Sequence, residues 1–171
     1  YTNSLILFAK YLIEKKTTLT EVCPTLKYCI CTSENLTEKD RILLQNGFGV
    51  RVFNEYGASE TKIIAFETNK GEMVLGEDVS FIETVNKGEI MENKQAGNII
   101  ITDLFNKAMP FIRYNIGDIG VISKDLSSNR KHRKLEQLLG RENDNIILPS
   151  GKISPGLTLY YVSRSFLESS G

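Results

Sequence analysis

The sequence is sparing with the residues that announce several common functions: in 171 residues it has three cysteines, one histidine, four prolines and no tryptophan. Three thiols are an odd number, and Cys29 and Cys31 fall in a run that reads as a buried strand, which suits a reducing cytoplasm rather than a disulfide-built secreted scaffold. A zinc site needs a fourth ligand at suitable spacing, and His132 stands far from the cysteines. Net charge is missing as well, because 21 Lys and Arg balance 21 Asp and Glu. No overall field then holds the chain on nucleic acid or on an anionic membrane, so neither is expected as a partner. The basic cluster 130–134 lacks interleaved aromatics and follows Ser127-Ser128-Asn129, so it reads as a solvated loop. No membrane-spanning run, leader-like segment, internal repeat or low-complexity tract is legible in these 171 residues, and none is expected within them. The chain opens at Tyr1 without an initiator Met and stops at Gly171, which leads us to expect a piece of a longer protein.

What is present suffices for a sizeable core. Leu5, Phe8, Ala9 and Leu12 recur at helical spacing and predict a helix over about 3–15. A buried strand at 26–31 follows, then a helix N-capped by Thr37 and stopped at Asn46-Gly47, then a strand at 50–53. Strand, helix and strand make a crossover unit with parallel pairing. Ligands of such sheets gather beyond the strands' carboxyl ends, where residues 32–35 and 54–60 both fall. From there the pattern changes to short β-rich runs at 63–67, 72–75, 79–85, 98–103 and 119–123, separated by Asn-, Lys- and Gly-rich turns. A short strand at 146–148, a turn at 149–151 and a helix starting near Pro155 complete the chain. The expected fold is α+β: a parallel α/β unit (1–62), an antiparallel β-rich, distorted-barrel subdomain (63–139), and a hinge with the start of a further domain (140–171).

Three short stretches carry the chemistry: Asn54-Glu55-Tyr56-Gly57-Ala58-Ser59-Glu60, Arg113-Tyr114-Asn115-Ile116-Gly117-Asp118, and Gly140-Arg141-Glu142-Asn143-Asp144. Tyr56 offers a π-face for a base and Ser59 a hydroxyl for a phosphate oxygen. Glu60 is a hard carboxylate suited to Mg²⁺, which takes oxygen ligands and keeps several waters. Asp118 can accept from both hydroxyls of a ribose, and Arg141 presents a fork of donors. Taken singly, a Tyr-Gly step is often a turn, a Gly-Asp pair often closes a hairpin, and an Arg beside acids is usually a surface ion pair. Their order along one chain gives the set its weight.

The ordered set resembles the adenylate-forming (AMP-binding) ligase superfamily. The wording Ala108-Met109-Pro110-Phe111-Ile112-Arg113-Tyr114 followed by Gly117-Asp118-Ile119 is most similar to its phenylacetate-CoA ligase branch, which includes capsule-biosynthesis-type and coenzyme F390 synthetase-like proteins. The resemblance implies two half-reactions: a small carboxylic acid, aromatic acids included, attacks ATP to give an acyl adenylate, and a thiol, commonly coenzyme A, then displaces AMP. It implies that Tyr56 stacks on adenine, Asn54 meets the adenine amino group with Gly57 beside it, and Glu34 lines the adenine side. It further implies that Ser59 binds the α-phosphate, Glu60 holds Mg²⁺, Asp118 clasps the ribose, and Arg141 reaches ribose or phosphate, all at one cleft.

Two departures from the family pattern stand out. Relatives carry an Asp two residues after the arginine, where the chain pivots, whereas Asn143 occupies that place with Asp144 after it. The family's Tyr-Arg-Thr-Gly-Asp is Tyr114-Asn115-Ile116-Gly117-Asp118 here, without the nearby cation. No phosphate loop precedes Tyr56, and the only lysine after Arg141 is Lys152, too near the pivot to be the family's late catalytic lysine. The expectation is therefore an enzyme segment that depends on the remainder of its parent chain and is inactive alone. The alternative is a non-catalytic nucleotide-binding or interaction module that keeps the fold.

Overall fold

The computed structural model of the chain describes residues 1–127, 131–142, 146–154 and 162. It is an α+β protein that divides into two compact units, Tyr1–Gly76 and Glu77–Gly171. The first opens with helix α1 (Thr2–Glu14), whose buried residues Thr2, Ile6, Ala9 and Leu12 recur every three or four positions and so line one face. A single-turn helix, α2 (Leu19–Val22), leads to strand β1 (Tyr28–Cys31), helix α3 (Glu38–Phe48) and strand β2 (Arg51–Ala58). Thr37 caps α3 as its sequence indicates, its hydroxyl accepting from the Asp40 amide at 3.2 Å. The two strands joined through α3 pair in parallel, from Tyr28 opposite Arg51 to Cys31 opposite Asn54. Ile6, Ala9 and Leu12 pack with Cys31, Leu36, Leu44, Phe48 and Val52 into one core.

Strand β2 does not end at 53 as expected. Past Asn54 it exchanges its parallel neighbour for an antiparallel one, β3 (Lys62–Glu67), and so satisfies its backbone as far as Ala58. Strand β4 (Met73–Leu75) pairs onto β3. The hairpin keeps β3 and β4 in the first unit, whereas the sequence reading placed residues from 63 onwards in the β-rich part.

In the second unit, β5 (Ser80–Asn86), β6 (Glu89–Ile90), β7 (Ala96–Asp103), β8 (Tyr114–Leu126) and β9 (Arg133–Arg141) form antiparallel pairs in the order β9-β8-β7-β5-β6. Ile82, Ile99, Ile101, Ile122 and Leu135 are among its buried apolar residues. Strand β9 is longer than anything the sequence suggested there, and the basic cluster is not wholly a loop. Arg133 opens β9, and both its amide and its guanidinium Nε bind the carboxylate of Glu77, at 2.8 and 2.7 Å. The expected short strand and turn appear as β10 (Ile146–Ile147), which pairs antiparallel with β11 (Ile153–Ser154). The helix expected near Pro155 and the hinge residues Asn143 and Asp144 lie outside the described residues. No helix among the described residues is long and apolar enough to cross a membrane.

Candidate functional site

In the second unit the site residues sit on an irregularity of the sheet. Between Asn98 opposite Ile119 and Ile100 opposite Asn115, one residue of β7 faces three of β8, so Ile116, Gly117 and Asp118 form a bulge. Bulges re-aim side chains and end regular pairing, which is what a recognition carboxylate on a strand requires. Gly117 supplies the left-handed backbone that the bulge needs, with φ +79°. The Asn115 side chain accepts from the Gly117 amide at 2.9 Å, so this departure from the family wording has a local structural task.

Arg141, the last residue of β9, is the cross-strand partner of Asp118. Its Nε lies 3.5 Å from Asp118 Oδ1, and its Nη2 donates to the Ile116 carbonyl at 3.2 Å. One guanidinium therefore spans the bulge, holding its carboxylate and a backbone carbonyl together. Asp118 is only 19% exposed while Arg141 is 63% exposed, so the carboxylate is set back and the arginine remains largely in solvent. Beside them, Asn98 donates to Glu142 at 3.1 Å. A shielded carboxylate with an adjacent exposed cation is suited to a neutral diol that sits near a negative group.

In the first unit Asn54, Tyr56 and Gly57 lie on β2, while Ser59 and Glu60 lie on the turn to β3 and are exposed. The register slips between Tyr56, opposite Ala65, and Gly57, opposite Ile63, leaving Ile64 as the extra residue of a second bulge. A Cβ on Gly57 would stand 2.5 Å from the Lys62 carbonyl oxygen, so only glycine fits this close approach. The turn is closed by the Thr61 amide donating to the Ala58 carbonyl at 3.1 Å, and Lys62 takes a left-handed φ of +63°. Left-handed backbone also occurs at Ser33, beside Glu34, and at Arg113, so three of the candidate segments carry non-glycine residues in this sparsely populated region.

Glu34 is engaged at the start of α1: its carboxylate accepts from the Asn3 amide at 2.7 Å and from the Asn3 side chain at 3.2 Å. A carboxylate on free helix amides is a favourable cap, and nothing in the local sequence signals this long-range occupation. Among the described residues no three His, Cys, Asp or Glu side chains come together as a metal cage. Glu60 alone fits Mg²⁺ only in the way that ion usually binds nucleotides, through one or two carboxylates with water and phosphate completing the shell.

Two features behind these segments were not anticipated. Glu67, at the end of β3 and 10% exposed, accepts from Arg41 Nη1 at 2.9 Å and from the Asn54 amide at 2.8 Å. The same Arg41 nitrogen donates to the Val52 carbonyl at 2.7 Å. Sequence spacing hid this group, because Arg41 stands three residues after Glu38 and reads as half of a surface pair, which it also is. Thr61 is 1% exposed, and its hydroxyl has no hydrogen-bond partner among the described residues. On β1, Cys29 and Cys31 share a hydrogen bond that raises the Cys29 pKa and lowers that of Cys31 to about 7.

No family model matches the chain. It is 29% identical over 139 residues to the phenylacetate-coenzyme A ligase of Thermus thermophilus, covering 77% of this chain and 31% of that protein. It is 25% identical over 137 residues to the enzyme of the same name from Pseudomonas putida, covering 76% and 30%. The chain thus spans about a third of the length of the curated relatives it matches. Among solved structures, 2-hydroxyisobutyryl-CoA ligase in the postadenylation state superposes with a TM-score of 0.77 at 19% identity, over 90% of this chain and 34% of that one. The anthranilate CoA ligase AuaEII in complex with anthranoyl-AMP superposes with a TM-score of 0.54 at 14% identity, over 76% and 27%. The chain is thus similar in sequence to part of proteins named phenylacetate-coenzyme A ligase, and its fold is that of the corresponding part of solved acyl-coenzyme A ligases.

Proposed function

We propose that the chain is a segment of an ATP-dependent ligase that activates a small carboxylic acid as its acyl adenylate and then transfers the acyl group to coenzyme A. The observation that carries this reading is the pairing of Asp118 with Arg141 across a bulge of β8, at the two positions that the family's ordered motifs pick out. In the first step a carboxylate oxygen attacks the α-phosphorus of ATP and pyrophosphate leaves. In the second a thiol sulfur attacks the acyl carbon and AMP leaves. Asp118 accepts the two ribose hydroxyls, Arg141 reaches ribose or phosphate, Tyr56 stacks on adenine, Asn54 and Gly57 border the base, and Glu34 lies in a loop that lines the adenine side. Ser59 donates to the α-phosphate. Glu60 ligates Mg²⁺, which when bound neutralises charge on the phosphate oxygens more in the transition state than in the ground state.

The 171-residue chain does not turn over by itself, because its motifs supply only the base, ribose and α-phosphate contacts and Lys152 is the sole lysine after Arg141. It binds ATP weakly, in the range of about a millimolar, since each missing contact to the β- and γ-phosphates forfeits about 1.5–3 kcal/mol and every 1.4 kcal/mol is about tenfold in affinity. Asn143 and Asp144 belong to the pivot between the two half-reactions. Pyrophosphate release tests the proposal, measured on the longer protein that carries this segment with ATP, Mg²⁺ and a panel of carboxylic acids including phenylacetate. Acid-dependent release followed by thioester formation with coenzyme A supports it. Nucleotide binding without release under any acid assigns the chain to the non-catalytic alternative.

A further inference from the structure

We infer that Glu67 and Arg41 are positioning residues that set how the site discriminates the nucleotide base, by clamping the backbone of Asn54. This rests on the proposed reading of Asn54 as the residue facing the adenine amino group. Asn54 is the point at which β2 loses its parallel neighbour: Cys31 opposite it is the last residue of β1, and antiparallel pairing to β3 begins only at Glu55. At such a switch the strand lacks a complete ladder, and a half-buried amide there gains from another acceptor. Glu67 supplies it, with one carboxylate oxygen taking both the Asn54 amide at 2.8 Å and Arg41 Nη1 at 2.9 Å. Arg41 reaches from α3 and also holds the Val52 carbonyl at 2.7 Å, so the clamp grips β2 at 52 and at 54. The side chains are only 10% and 19% exposed, so solvent screens the pair poorly and its geometry is stiff.

If the clamp orients Asn54, loosening it lowers the preference for a base bearing a 6-amino group more than it lowers nucleotide binding in general. The experiment is a pair of NMR titrations of the chain, with AMP and with IMP, which carries a carbonyl in place of that amino group. It is run on the wild type, Glu67→Gln, Arg41→Lys and, as a structural control, Leu44→Val. Leu44 is fully buried in the core of the same unit, and the valine removes packing without touching the clamp. The wild type is expected to bind AMP about five-fold more tightly than IMP, the gain of about one hydrogen bond. Glu67→Gln keeps the side chain's shape but not its charge and is expected to bring the ratio below about two, a loss of most of that bond's contribution. Arg41→Lys gives an intermediate ratio, and it carries the test alone should Glu67→Gln not fold. Leu44→Val lowers the denaturation midpoint and leaves the ratio at its wild-type value. A ratio unchanged in the clamp variants overturns the inference while leaving the site reading intact. Equal binding of AMP and IMP by the wild type overturns the reading of Asn54 itself.

Discussion

The two candidate segments solve one problem with opposite means. Each places its candidate residues beside a bulge, one with Ile64 of β3 as the extra residue opposite Tyr56 and Gly57, the other formed by Ile116–Asp118 of β8 itself. In the first unit β2, opposite the bulge, is gripped from behind by a buried ion pair, Arg41 with Glu67, and by a backbone approach too close for any side chain but glycine's hydrogen. In the second the bulge is spanned from the solvent side by Arg141 and shaped by a left-handed glycine. A functional segment fixed from its buried side ties recognition to folding stability. One fixed by an exposed guanidinium leaves recognition free to change with little effect on the fold.

Breaking the buried grip is expected to have the largest effect on stability. Arg41→Ala leaves the Glu67 carboxylate in the interior with the Asn54 amide as its remaining partner here and should destabilise the chain by about 3 kcal/mol, at the low end for a broken buried pair because both groups keep some solvent contact. Urea denaturation measures it. A loss below about 1 kcal/mol, the range of exposed pairs, would mean that water screens the pair and that the contrast between the two segments is wrong.

The glycines come next, and they sharpen the comparison because the two fail for different reasons. Gly57→Ala drives a methyl to 2.5 Å from a backbone oxygen that cannot step aside, an overpacking expected to cost about 2 kcal/mol. Gly117→Ala meets no close contact, since Arg141 Nη2 is 3.4 Å away, but holds a left-handed φ that costs an L-residue about 1–2 kcal/mol. Gly117→Asn separates the two causes, because asparagine tolerates that conformation and should recover part of the loss. Thermal unfolding of the three variants is the measurement, and equal losses for Gly117→Ala and Gly117→Asn would remove backbone strain as the explanation.

How far these features were legible in the sequence follows from their range. Helix α1, the Thr37 cap and the β1-α3-β2 crossover announce themselves because periodicity and capping act over a few residues. The extension of β2 to Ala58 did not, since it depends on a partner strand that local composition cannot register. Strand β9 was missed for a related reason: Arg133-Lys134-Leu135-Glu136-Gln137-Leu138-Leu139 has no alternating pattern, and three register shifts against β8 explain why none was needed. Within the candidate site, Tyr56, Glu60, Asp118 and Arg141 could be named from ordered motifs, whereas Glu67 and Arg41 lie 26 residues apart and become a pair only in the fold.

A smaller effect, of opposite sign, is expected at Thr61, whose buried hydroxyl has no partner among the described residues. An unsatisfied buried polar group is destabilising, so Thr61→Val, which keeps the shape and removes the oxygen, should stabilise the first unit by about 1 kcal/mol. A destabilised valine variant would show that the hydroxyl is hydrogen-bonded in solution, by an ordered water for example, and that residue 61 belongs to the polar side of the Ser59-Glu60 turn.

The smallest stability change is expected where the proposed function would change most. Asp118→Asn loosens an ion pair whose arginine is 63% exposed, and such pairs contribute little, so the denaturation midpoint should move by no more than about 0.5 kcal/mol equivalent. If the carboxylate accepts two ribose hydroxyls, the same substitution removes the charge from both bonds and AMP affinity should fall by about tenfold or more. Glu60→Gln, on the exposed turn, should likewise leave the fold intact, yet act on Mg²⁺-dependent turnover of the longer enzyme rather than on AMP binding. Parallel AMP titrations and denaturation curves decide the matter. Asp118→Asn variants that lose stability and binding together would place the second segment under the same constraint as the first, and variants that lose neither would remove Asp118 from the nucleotide site.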